Sequence, residues 1–95
     1  MPEINFKIKW SDGTEQTCYS PSLVVKKYFT PGTEYELNEF VEKSRTALNI
    51  ASDRVQEAYG FPCTRALGQL KQIETKAWEY QDLPQAKVLF VEFIE

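Results

Sequence analysis

Histidine is missing from this chain altogether. That removes the side chain most often used as a general base and as a metal ligand. Glycine is scarce, four in 95 residues, and none sits in a phosphate-cradling loop or a G-x-S-x-G turn. The two cysteines, Cys18 and Cys63, have neither the spacing of a zinc site nor the density of a disulfide framework. They read as cytosolic thiols. No apolar run approaches the roughly 18–20 residues that cross a bilayer. The opening MPEINFKIKW alternates instead of forming an unbroken apolar signal segment. Positive charge is also short: 11 Lys and Arg against 14 Asp and Glu give a net charge of −3. A nucleic-acid partner needs a clustered positive field. These absences argue against a hydrolase, a nucleotide enzyme, a metal or cofactor protein, a nucleic-acid binder and a membrane protein. A cytoplasmic location is expected.

What is present is a supply of large rings: six Phe, five Tyr and two Trp, enough for one core. A single domain over residues 1–95 follows. The acidity is concentrated. Residues 28–62 carry six acids against three bases, whereas residues 1–27 carry three acids against four lysines.

Ile4, Phe6, Ile8 and Trp10 alternate with Asn5, Lys7 and Lys9, the period of a strand with one buried face. Ser11-Asp12-Gly13 marks a tight turn, and residues 15–19 read as the return strand. Ser20-Pro21 signals the start of a short helix over residues 21–28. Thr30-Pro31-Gly32-Thr33 has the residues of a type II turn. Asn38 is placed to cap a long helix that Gly60 ends. Its apolar stripe runs through Phe40, Val41, Ser44, Ala47, Leu48, Ala51, Val55, Ala58 and Tyr59. A further helix is expected over residues 64–80, with Ala66, Leu67, Leu70, Ile73, Ala77 and Trp78 inward, before Pro84. Residues 87–94, β-branched and aromatic, read as a final strand.

The order β-β-α-α-α-β predicts an α+β fold with a small three-stranded sheet and helices on one face. The last strand belongs beside the first. A right-handed crossover would make the two parallel, as in a β-grasp-like arrangement, and an antiparallel placement is the alternative.

The phrases CYSPSLVV, KKYFTPG, SRTALNIASDRV, YGFPC and ALGQL, between Cys18 and Leu70, resemble a family of small bacterial nitrogen-starvation response proteins. Genes of that family cluster with a nitrilase, a flavin-dependent oxidoreductase, an acetyltransferase and a radical-SAM protein. The resemblance implies a cytoplasmic role near nitrile or nitrogen metabolism. It carries no catalytic residues over.

Three groups of residues carry candidate chemistry. Cys63 stands just before a helix start, where the dipole favours thiolate, and Arg65 adds charge nearby. The bland alternative is a small apolar plug between helices; Cys18, on the second strand, reads as plain packing. Arg45, Asn49 and Asp53, spaced one helical turn apart, can offer a hydrogen-bonding strip to a partner or a small acid, although a solvated helix face has the same pattern. Leu89, Val91 and Phe93 alternate along the last strand and should share the face away from the helices, on a candidate sheet edge. The expected function is a non-enzymatic accessory or regulatory protein of a nitrilase-linked pathway that associates with itself, as a homodimer, or with a pathway protein. The alternatives are a small thiol-dependent enzyme or redox carrier using Cys63, and a nitrogen-metabolite sensor using the Arg45 strip.

Overall fold

The computed structural model describes residues 3–95, so the first two positions of the expected 1–95 domain lie outside the described residues. The opening hairpin forms as its alternation requires. Strand β1, Ile4–Lys9, pairs antiparallel with β2, Glu15–Ser20, setting Phe6 opposite Cys18 and Lys9 opposite Glu15. The turn is tied by Trp10 N donating to the Thr14 carbonyl at 2.8 Å and Thr14 N donating to Asp12 Oδ1 at 2.9 Å.

The helix expected over residues 21–28 is not an α-helix. Leu23–Lys27 forms one 3₁₀ turn, capped by Ser22 and not by Ser20, with Ser22 Oγ accepting from Val24 N. The cause is local competition: Ser20 donates its hydroxyl to the Ser22 carbonyl and Val24 and Val25 are drawn into the core, leaving no room for a regular helix.

The Pro31-Gly32 turn has Gly32 at φ 80, and Thr33 N donates to the Thr30 carbonyl. It delivers a strand that the sequence reading missed: β3, Thr33–Glu36. The sheet therefore has four strands, ordered β2-β1-β4-β3, and every pairing is antiparallel. Strand β4, Lys87–Ile94, does lie beside β1, but it is central and not an edge. The parallel, β-grasp-like arrangement is excluded for a simple reason. Helices α1, Leu37–Tyr59, and α2, Thr64–Trp78, form an out-and-back pair. The chain returns to where β3 ended, Leu37 N donates to the Ala86 carbonyl, and Glu36 is set opposite Lys87.

Gly60, at φ 87, ends α1 as expected. Asn38 does not cap it. The helix already runs from Leu37, with Glu36 in the capping position and no side-chain bond there. The predicted stripe is buried at Phe40, Ser44, Ala47, Leu48 and Ala51 and half-buried at Val41 and Val55, but Ala58 and Tyr59 are exposed. On α2, Ala66, Leu70, Ile73 and Ala77 face inward, while Leu67 and Trp78 do not; Tyr80 fills the space expected for Trp78.

Both helices cover one face. The core is an aromatic stack on the inner side of the sheet: Phe90 lies 5.5 Å from Phe6 and 4.9 Å from Phe29, centroid to centroid. Trp10 stacks on Tyr80 at 5.6 Å and meets Phe40 edge-on at 5.8 Å. Among the described residues, no helix is long and apolar enough to cross a membrane.

Candidate functional site

A sheet covered on one side presents its alternate residues on the other. The outward set comprises Asn5, Lys7 and Lys9 on β1, Glu34 and Glu36 on β3, and Lys87, Leu89, Val91, Glu92 and Ile94 on β4. The register between β1 and β4 breaks once. Ile8 pairs with Phe90 and Lys7 with Glu92, so Val91 is an extra residue, a β-bulge. Beyond it the alternation is inverted. Phe93 sits opposite the fully buried Phe6, packs on Phe90 at 4.8 Å and lies under the Lys26 ammonium. Leu89, Val91 and Phe93 therefore do not share a face: Leu89 and Val91 turn outward and Phe93 turns into the core. The bulge is what strict alternation could not reveal.

The outward charges are arranged by strand. Lys7 and Lys9 make β1 basic, and Glu34 and Glu36 make β3 acidic, with half-buried Leu89 and Val91 between them. None of Lys7, Lys9, Lys87, Glu34, Glu36 and Glu92 takes part in an ion pair among the described residues. Lys9, Leu89 and Glu34 occupy one row across three strands. They line a shallow depression of about 400 Å³ together with Lys87 and Gln85. Sequence reasoning singled out Leu89 and Val91 but not Lys9 or Glu34. The signal lay in the K-I-K and E-Y-E alternations, which gain meaning only once the register is known.

The remaining candidates are dispersed. Cys63 is partly exposed at the capping position of α2, makes no side-chain cap bond, and donates its backbone N–H to Ser52 Oγ at 3.1 Å. Arg65 stacks on a neighbouring ring. Its guanidinium lies 3.8 Å from the centroid of the Tyr19 ring. Cys18 is buried beneath the sheet, and burial pushes its thiol up to about 12. Arg45 is drawn off the Asn49 and Asp53 strip, donating to Glu74 at 2.9 Å and to Glu42 at 2.7 Å. Glu74, on α2, is thus the partner of Arg45 across the helix pair. Asn49 and Asp53 remain exposed on α1. Among the described residues, no group of His, Cys, Asp or Glu could hold a metal ion.

No curated protein and no solved structure matches the chain. Residues 5–93 match the family described as nitrogen starvation-induced protein NitG, a span that takes in both helices and all four strands except Ile4, which opens β1, and Ile94, which ends β4. The phrases that carry the resemblance lie inside it, and the chain belongs to the NitG family of nitrogen starvation-induced proteins.

Proposed function

We propose that this chain serves the nitrogen-starvation response, within a nitrilase-linked pathway, as a non-catalytic accessory or regulatory protein that associates through the outer face of its sheet. The observation that carries this reading is the half-covered sheet: Leu89 and Val91 face away from the helices, between strips of opposite charge that have no ion partners among the described residues. Apolar side chains in such a setting favour burial against a second surface. The first candidate occupant is a second copy of this chain, because a surface carrying both signs can complement itself.

Static light scattering at micromolar concentration tests the reading. Wild type is expected above the 11.0 kDa of one chain, and Val91→Lys is expected to remain folded and fall to that mass. A wild type that is monomeric at every concentration, with Val91→Lys unfolded, would make Val91 a core residue and end the association reading.

A further inference from the structure

We infer that the open edge of β2, with the flank of α2 beside it, takes up an extended acidic peptide as an added strand. This site lies on a different surface from the outer face and does not depend on it. Strand β2 is one edge of the sheet, and its pairing with β1 decides which of its main-chain groups are free. Trp10 N donates to the Thr14 carbonyl, so alternate residues Gln16, Cys18 and Ser20 turn their main-chain groups towards β1. Glu15, Thr17 and Tyr19 turn theirs outward. The chain closes only one end of this edge: Gln69 Oε1 accepts from Tyr19 N at 3.1 Å, standing where a neighbouring strand's carbonyl would be. Glu15 and Thr17 are exposed, and their outward amides and carbonyls form a short ladder of the kind that accepts another strand.

The flank of α2 supplies the floor of the site. Gly68, Lys71, Gln72 and Thr75 recur at helical spacing and, with Gln16 of β2 opposite, line a shallow groove of about 560 Å³. The chain alone gives no reason for Gly68. Glycine inside a helix is less stable than alanine, the backbone here is not left-handed, and a Cβ at this position would meet nothing within 4 Å. A strand laid along the groove accounts for the missing side chain, because its backbone needs that space. Charge selects the peptide. Lys71 makes no ion pair among the described residues, and with Lys76 it outweighs Glu79 in the groove. Residues opposite each other in a ladder share a face, so a peptide side chain opposite Gln16 enters the groove, and an acidic one meets a positive setting. A second copy adding its own β2 across a two-fold axis fits less well. It would set two α2 flanks of the same positive net charge against each other.

The probe is a capped fluorescent peptide of about six residues, Glu alternating with Val. Fluorescence anisotropy should show saturable binding to wild type and none for the same peptide with N-methylated amides. Lys in place of Glu should lower the affinity roughly fivefold. Thr17→Pro removes an outward amide that β1 does not use, so the hairpin survives, which circular dichroism checks. It should weaken binding at least about fivefold. Gly68→Leu, at an exposed position and a better helix former, should be no less stable than wild type in urea and yet lose the peptide. A wild type that binds none of the peptides overturns the inference, as does equal binding of the methylated or the Lys peptide. So does a folded Thr17→Pro or Gly68→Leu variant that binds like wild type. Self-association abolished by Thr17→Pro, without peptide binding, would make a second copy the occupant and overturn it too. Val91→Lys, on the outer face, should bind the peptide like wild type, so this inference and the reading of that face fail separately.

Discussion

Ser44 lies on the buried stripe of α1 with its hydroxyl unpartnered among the described residues. Serine in a helix interior is already a slightly worse helix former than alanine, and a buried hydroxyl without a partner adds a desolvation cost. Ser44→Ala is therefore expected to raise stability by roughly 0.5–1.5 kcal/mol in urea unfolding; a loss would mean that the hydroxyl has a partner. The cysteines make the opposite kind of contrast. Burial holds the Cys18 thiol protonated across ordinary pH, whereas Cys63 is partly open to solvent. In the native protein, alkylation near neutral pH should modify Cys63 and spare Cys18. Labelling retained by Cys63→Ser would show that the sheet opens far more readily than this packing implies. The contrast was partly legible in the sequence, which put Cys18 on a strand and Cys63 just before a helix start; the depth to which Cys18 is buried depends on packing that the sequence does not show.

At the scale of the element, the bulge at Val91 decides the behaviour of β4. Val91 faces outward and Phe93 packs on Phe90. Val91→Lys should change the stability of a single chain by less than about 1 kcal/mol, whereas Phe93→Lys should cost roughly 2–4 kcal/mol. Thermal unfolding in dilute solution compares them; equal effects would restore the strict alternation that the sequence suggested. Much of the fold was legible because its causes are local. The bounds of β4, the hairpin and the end of α1 at Gly60 follow from alternation, turn residues and a left-handed cap. What was missed depends on partners distant in the chain. The four residues of β3 become a strand because Val88 and Phe90 offer them a ladder, and Arg45 leaves its strip because Glu74 arrives from another helix. The candidate site suffered most, because its central row draws one residue from each of three strands.

At the scale of the whole molecule, the hairpin turn is fastened to the far end of α2. Tyr80 donates its hydroxyl to Asp12 Oδ2 at 2.8 Å, while Thr14 N holds Oδ1. The Thr14 amide first, and then the Tyr80 hydroxyl, hold the Asp12 carboxyl down to about 2. A carboxylate lowered on folding stabilises the native state above its unfolded value, near 3.9, and that contribution is lost as pH falls from there towards 2. The stability difference between wild type and Asp12→Ala, from urea unfolding at a series of pH values, should be constant above about pH 5. It should shrink steadily below pH 4. A difference that persists undiminished at pH 2 would show that the loss is one of turn geometry and not of the charge.

The central position of β4 also has a consequence for synthesis. Ribosomes deliver the hairpin, β3 and both helices before β4, yet β1 and β3 are joined into one sheet only through it. Until residues 87–94 emerge, the hairpin and β3 have no common ladder, and the aromatic stack lacks Phe90, which stacks on both Phe6 and Phe29. Folding of this sheet is thus deferred until residues 87–94 have left the exit tunnel, with the non-local pairing of β1 and β4 as the closing step. A nascent chain stalled before Lys87 should be fully sensitive to protease, and one extended past Ile94 by a tunnel-length linker should be resistant.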